Sequence, residues 1–262
     1  MTGVGPRFPT SPRVASHQGS DPGVGSGRGP GPGFRLSVVV PTLDEASAIE
    51  ATLAAVQAMR AQGGEVIVVD GGSRDATRSL AAPLADRVIE SPRGRSAQLN
   101  AGAAVATGDV LLFLHADSIL PPAALDAVRA SIEAGREWGR FDVSIAGADA
   151  MLPVIAAFMN ARSRLTGIAT GDQAMFATRA AFDAVGGFQP IPLMEDVALS
   201  KSLRARSRPA CLRERVVTSG RRWERRGTLR TILLMWRLRL EYALGADPHR
   251  LARRYDVGRT SG

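Results

Sequence analysis

The stretch Val110-Leu111-Leu112-Phe113-Leu114-His115-Ala116-Asp117-Ser118 decides how this chain is read. Five consecutive apolar residues that stop on polar ones fit a strand buried on both faces of a parallel sheet, because such strands do not alternate. In open α/β sheets the ligand crevice lies outside the carboxyl ends of the strands. His115 and Asp117, two residues apart, are therefore expected to project into it from the same side. A core strand that merely ends in a polar turn gives the same pattern, and only the surrounding sequence separates the two readings.

Upstream, residues 36–40 read as a first buried strand that Pro41 ends, since proline has no N–H for a central ladder. Asp44 is placed to cap a helix carrying Ile49, Leu53, Val56 and Met59 on one face, and Gly63-Gly64 closes it. Residues 65–70 are a second buried strand ending on Asp70, so a right-handed strand–helix–strand crossover is expected. A turn over 71–75 leads into a short helix, a third strand over 87–90, a basic loop over 91–95, and a helix over 96–106 that feeds the Val110 strand. Downstream, Pro121-Pro122 restarts a helix that runs to about Gly135, and residues 141–145 alternate as a strand. An apolar helix holds Met151 to Met159, a strand covers 173–178, and the helix over 195–206 carries Glu195 and Asp196 in its first turn. The expectation is one α/β domain with a mostly parallel central sheet and flanking helices.

The length of 262 residues and 45% hydrophobic content suit one sizeable core. Residues 1–33 are rich in Gly, Pro and Ser, with Phe8 the only aromatic, and read as a disordered tail. Cys211 is the only cysteine, no charged-then-apolar leader opens the chain, and no apolar run is long enough to span a bilayer. These features predict a cytoplasmic protein, with membrane contact limited to peripheral association. The net charge of +8 is uneven: from Lys201 onward there are 17 Lys or Arg against 5 Asp or Glu. Without aromatic interleaving or a recognisable module, this basicity does not make nucleic acid the expected partner.

Several strand ends or adjoining loops carry carboxylates: Asp44 and Glu45, Asp70, Asp117, and Glu195 with Asp196. Each alone could be a helix cap, but together they point to one ligand crevice. Asp70, followed by two glycines, could accept hydrogen bonds from a base or ribose, with a turn-initiating role as the alternative. Arg95, in a Gly-containing loop, could pair with a phosphate or stand solvated, and Asn100 could steady the same loop.

The ordered segments Val38-Val39-Val40-Pro41-Thr42-Leu43-Asp44-Glu45, Val68-Val69-Asp70-Gly71-Gly72-Ser73-Arg74-Asp75, Phe113-Leu114-His115-Ala116-Asp117 and Met194-Glu195-Asp196-Val197 resemble the motifs of family 2 glycosyltransferases. The resemblance spans about residues 36–226 and is greatest toward short bacterial members of the arsenosugar-biosynthesis and diaponeurosporenoate glycosyltransferase kind. It implies a GT-A fold over 34–227 followed by a basic helical segment over 228–262. It also implies a nucleotide-sugar donor, with UDP the expected nucleotide, Mg²⁺ or Mn²⁺ as cofactor, and inversion at the anomeric carbon.

Carried over by position, the resemblance puts Asp70 in the uridine site with Pro41, Thr42 and Glu45. Asp117 matches the metal-binding last Asp of D-x-D, with His115 where the first Asp would stand. Whether His115 touches metal or diphosphate, or is a hydrogen-bonded wall residue, is left open. Asp196 matches the general base, suited by its helix N-terminus, and Glu195 would orient it or contact the acceptor. Gly171-Asp172-Gln173 matches an acceptor-side loop. Arg222 and Trp223 match the Arg-Trp half of Q-x-x-R-W, placing Arg222 near the diphosphate and Trp223 against a sugar. Ser219 stands in the Gln position, which favours single over processive transfer.

Leu229, Ile232, Leu233, Trp236, Leu240, Ala243 and Leu244 make an apolar helical face bordered by Arg230, Arg237 and Arg239. Such a helix suits an anionic membrane surface at the inner face of the cell membrane, or packs as a closing helix on the sheet. The expected function is sugar transfer to a hydroxyl or carboxyl acceptor that is a lipid, a carotenoid or a small molecule. The rival is a non-catalytic nucleotide-sugar-binding module at a membrane surface.

Overall fold

The computed structural model describes residues 34–221, 223 and 227–257. The tail expected over 1–33 and the donor contact expected of Arg222 lie outside the described residues.

The apolar runs make a parallel half-sheet of β1 (Leu36–Thr42), β2 (Glu65–Asp70), β3 (Arg87–Glu90) and β4 (Val110–Phe113), ordered β3-β2-β1-β4. Register pairs Thr42 with Asp70 and Val39 with Phe113, so the site-side ends of β1 and β2 are level and β4 stops three residues earlier along β1. Both faces are covered, which is why the runs do not alternate. Val38, Val40 and Leu112 join the core with α1 (Ile49–Ala55), α2 (Gln57–Ala61) and α3 (Thr77–Ala81). Val39, Ile67, Val69 and Leu111 face α4 (Arg95–Val105), which contributes Leu99 and Ala103.

The second half adds β5 (Ser118–Ile119), α5 (Ala124–Glu133), β6 (Trp138–Ala146), α6 (Leu152–Thr166), β7 (Met175–Thr178), α7 (Arg179–Ala184), α8 (Glu195–Arg206) and β8 (Ala210–Ser219). The eight-stranded order is β3-β2-β1-β4-β7-β6-β8-β5. β4–β7, β6–β7 and β5–β8 are antiparallel, whereas β6–β8 returns to parallel, so the sheet is mixed with a parallel majority. The Asp142 carboxylate ties β6 to α6, pairing with the fully buried Arg140 and with Arg164 at 2.7 Å. Two C-terminal helices, α9 (Thr228–Ala243) and α10 (Pro248–Val257), dock on α8 through Leu238 and Leu251 against Met194 and Val197.

Two local expectations are corrected and one strand is added. Asp44 caps no helix: it sits at φ +55° and accepts the Arg74 N–H at 2.8 Å, and α1 starts five residues later at Ile49. The helix read through Met59 breaks at Val56 into α1 and α2. β8 has no counterpart in the sequence reading, although its residues 212, 214, 216 and 218 are less exposed than 213, 215 and 217, a period of two masked by the charges it carries.

Candidate active site

The level ends of β1 and β2 leave two loops side by side, and side chains zip them together. The Asp44 N–H donates to Ser73 Oγ at 2.9 Å, the Glu45 N–H to Thr77 Oγ1 at 2.8 Å, and the Ala46 N–H to Asp75 at 3.1 Å. Asp70 is fully buried beneath them. One carboxylate oxygen accepts the Gly72 and Ser73 N–H groups at 3.0 and 2.9 Å. The other accepts hydroxyls from Ser73 at 2.5 Å and Thr42 at 3.2 Å. Burial pushes its pKa up, but the Ser73, Gly72 and Thr42 bonds outweigh that and hold it below the usual carboxylate range. These bonds give Asp70 a turn-forming role in this loop, with Thr42 buried beside it.

Gln98 belongs to no motif, yet it supports this corner from α4. Its Nε2 donates to the Thr42 and Val69 carbonyls at 2.8 and 2.9 Å, holding the spot where the two strands part.

Across β1, Arg221 gathers the other loop residues. Its guanidinium reaches Glu45 at 3.0 Å, Ser47 Oγ at 2.8 Å, Ser219 Oγ at 3.1 Å and Asp117 at 3.6 Å. Burial lowers its pKa, while Glu45 and Asp117 raise it further than that, so the net direction is up. A cleft of about 360 Å³ opens here, lined by Ser47, Thr52, Asp117, Ser219 and Arg221 among others. The arginine adjacent to the motif position thus organises this corner. Trp223 is half-buried and packs against the apolar core.

His115 and Asp117 diverge. The strand ends at Phe113, so the two-residue alternation no longer holds where they stand. His115 Nδ1 lies 3.2 Å from Asp172, and its Nε2 lies against Gly171, where an added Cβ would come within 2.3 Å. His115 thus faces the Gly171–Gln173 turn. Among the described residues no cluster of three His, Cys, Asp or Glu side chains forms a metal cage. The donor set still fits a hard cation. Asp117 is a partly exposed carboxylate on the cleft, and Mg²⁺ or Mn²⁺ needs only one or two such oxygens when phosphates and water supply the rest.

The same turn fixes the opposite wall. The Gly171 N–H donates to Asp196 Oδ2 at 2.8 Å, and the buried Gln173 anchors the turn to Ser163 of α6 at 3.0 Å. Met194, at φ +68°, kinks the chain so that Glu195 and Asp196 both open α8. Glu195 is buried, with Arg95 3.5 Å away. Burial raises the Glu195 pKa and Asp196 adds to it, against the opposing Arg95 charge. Asn100 does not steady the Arg95 loop: it clamps Phe188, with bonds of 2.8 and 2.9 Å in both directions. Arg162 of α6 is a further member that no motif marks; burial lowers its pKa while Asp196 and Asp172 oppose.

A half-parallel sheet with carboxylates on converging strand-end loops, one wall basic beside a cleft and the other acidic at a helix start, defines the GT-A class of nucleotide-diphospho-sugar transferase folds. The glycosyl transferase family 2 model matches residues 37–185, more than half the chain, and the chain belongs to that family. A PGL/p-HBAD biosynthesis glycosyltransferase of Mycobacterium bovis (strain BCG / Pasteur 1173P2) is 37% identical over 92 residues, 32% of this chain and 36% of the relative. An uncharacterized glycosyltransferase of Nostoc sp. (strain PCC 7120) is 28% identical over 102 residues, 36% of this chain and 32% of the relative. The chain thus spans about a third of the length of these curated relatives.

Solved structures share the fold. S. aureus TarS 1-349 superposes with a TM-score of 0.58 at 16% identity, covering 71% of this chain and 61% of that one. The mannosyltransferase PcManGT from Pyrobaculum calidifontis, in complex with GDP-Man and Mn²⁺, gives 0.59 at 21% identity, covering 86% and 70%. Glucosyl-3-phosphoglycerate synthase from Mycobacterium tuberculosis, in complex with Mn²⁺, UDP and glucosyl-3-phosphoglycerate, gives 0.54 at 19%, covering 70% and 71%.

Proposed function

We infer that the protein is a glycosyltransferase that moves one sugar from a UDP-linked donor to a hydroxyl or carboxyl acceptor, with inversion. The observation that carries this reading is the Gly171–Gln173 turn, which holds Asp196 through Gly171 and His115 through Asp172. One short turn therefore couples the start of the Asp117 loop to the carboxylate at the start of α8. That is the arrangement a two-substrate site requires, with the donor on the Glu45, Asp117 and Arg221 side and a base facing it.

Asp117 would hold a Mg²⁺ or Mn²⁺ ion, which when bound offsets charge on the diphosphate leaving group. Arg221 pairs with the same diphosphate, and Pro41, Thr42, Glu45 and the Asp70-shaped loop receive the nucleotide. Asp196, in the first turn of α8, takes the acceptor proton on its carboxylate. Glu195, with its raised pKa, and Arg95 set the charge beside it. In this reading residues 34–227 form the transferase unit and 228–262 a basic appendage. The complexes of TarS with UDP and with UDP-GlcNAc support a UDP donor, and that of PcManGT with GDP-Man keeps the guanine nucleotide as the comparison to include.

The test is calorimetric titration of UDP and GDP with Mn²⁺, with Mg²⁺ and with chelator, paired with nucleotide release from a panel of sugar donors and acceptors. Asp117→Ala is expected to abolish metal-dependent binding. Asp196→Asn is expected to keep UDP binding and lose turnover by about a hundredfold or more, the scale of general-base catalysis. Turnover undiminished in Asp196→Asn would remove the base assignment, and nucleotide binding without any turnover in the wild type would favour the binding module.

A further inference from the structure

The C-terminal helix α9 has two apolar faces on opposite sides. Leu234, Leu238 and Tyr242 belong to the cluster shared with α8 and α10, where Leu238 is buried with Met194 and Val197. Leu229, Leu233, Trp236, Leu240 and Leu244 recur at spacings of three and four residues on the far side, and each is 54 to 79% exposed. Helix α6 repeats the pattern. Leu152, Ile155, Ala156 and Met159 are buried, whereas Val154, Phe158 and Leu165 stand on its outer side, 51 to 87% exposed. The Phe158 and Trp236 rings stack at 5.5 Å and join the two outer stripes into one surface.

Nine of the ten exposed large apolar side chains among the described residues lie on or at the ends of these two helices, so the exposure is a patch and not scatter. Cations border it on α9. At 100° per residue, Arg230 and Arg237 fall along one edge of the outer stripe, where both are exposed, and the half-buried Arg239 falls on the other edge. Glu241, the carboxylate on that helix, stands beyond Arg237 and is paired with Arg237 at 2.8 Å and Arg254 at 2.5 Å. A face edged by like charges repels a second copy of itself in a two-fold contact but complements an anionic surface.

We propose that the paired outer faces of α6 and α9 form a platform that lies in the interface of an anionic lipid bilayer, with Trp236 and Phe158 at its centre. α9 is on the order of 10 Å across, and its inner face packs on the residues flanking Glu195 and Asp196. α6 leads directly into the Gly171–Gln173 turn. The platform therefore holds the acceptor side of the site close to the membrane surface, and the acceptor is an amphiphile presented by that bilayer. This second step rests on the transferase reading above, whereas the docking itself does not.

The experiment is co-sedimentation of the full chain with phosphatidylcholine vesicles, with and without phosphatidylglycerol, compared with Leu233→Glu/Leu240→Glu. Circular dichroism and UDP titration without vesicles run alongside. The wild type is expected to bind the anionic vesicles, with salt weakening the interaction. The double variant is expected to bind roughly a hundredfold more weakly, since each leucine buried contributes about tenfold, while folding and UDP binding stay unchanged. Equal binding by the variant, or no binding by the wild type, overturns the proposal. So does a dimer that the variant dissolves, because the face then belongs to a second copy. Failure of the wild type to bind UDP would instead strike the transferase reading and leave the vesicle result standing.

Discussion

Glu65 shows what single side chains do in this fold away from the site. It starts β2, is buried, and accepts Ser37 Oγ at 2.7 Å and the Thr107 N–H at 2.8 Å. Burial raises its pKa, but the Thr107 and Ser37 bonds outweigh this and bring it below the ordinary 4.5. A carboxylate with a depressed folded pKa adds stability that is present above its unfolded pKa and is lost as pH falls through the folded value. Glu65→Gln is therefore expected to lower stability by about 1–3 kcal/mol at neutral pH, with the gap to wild type closing below about pH 4. Urea unfolding across that range checks it, and a gap independent of pH would mean the charge is not what stabilises. At the same scale, His115 and Asp117 show why residue type alone is not a role: an identical spacing inside a strand would have aimed them together.

Between elements, the contact of α4 with the sheet is close enough to need glycine. A Cβ on Gly102 would stand 2.3 Å from a methyl of Val39 and 2.9 Å from one of Val69, both fully buried. Alanine would gain about 1 kcal/mol of helix propensity, but overpacking costs about 1–3 kcal/mol and has no loose neighbour to absorb it. Gly102→Ala is thus expected to lower the thermal midpoint. Because α4 also carries Gln98, which holds the Thr42 corner, the shift should weaken nucleotide binding as well; a stabilised variant would show that α4 can slide. The sequence announced α4 and the strands, but not this requirement, since Gly102 and Val39 are distant in the chain.

At the scale of the whole molecule, the C-terminal helical pair is joined to the rest through a small apolar cluster in which Leu238 and Leu251 are central. Leu238→Ala is expected to cost about 2–5 kcal/mol of local stability. Hydrogen exchange should then accelerate over residues 228–257 while the sheet stays protected, with turnover falling because α9 packs beside the proposed base, Asp196. Uniform acceleration throughout the chain would show instead that the pair and the sheet unfold as one unit. Among the described residues no helix is long and apolar enough to cross a membrane.

The sequence by itself determined the parallel half of the sheet, the family, the place of Asp70 at the end of β2 and that of Glu195 and Asp196 in the first turn of α8. Those features are local, written in uninterrupted apolar runs and in short motifs where each residue constrains its neighbours. Tertiary structure alone decided that Arg221 holds the Asp117 corner, across 176 residues from Glu45, that Asp70 is bonded by Thr42 of β1 as well as by its own loop, and that Trp223 packs against the core. It also divided the apolar residues of α9 between a docked face and an open one. A helical pattern reports that a face is apolar, but which neighbour covers it depends on packing between segments far apart in the chain.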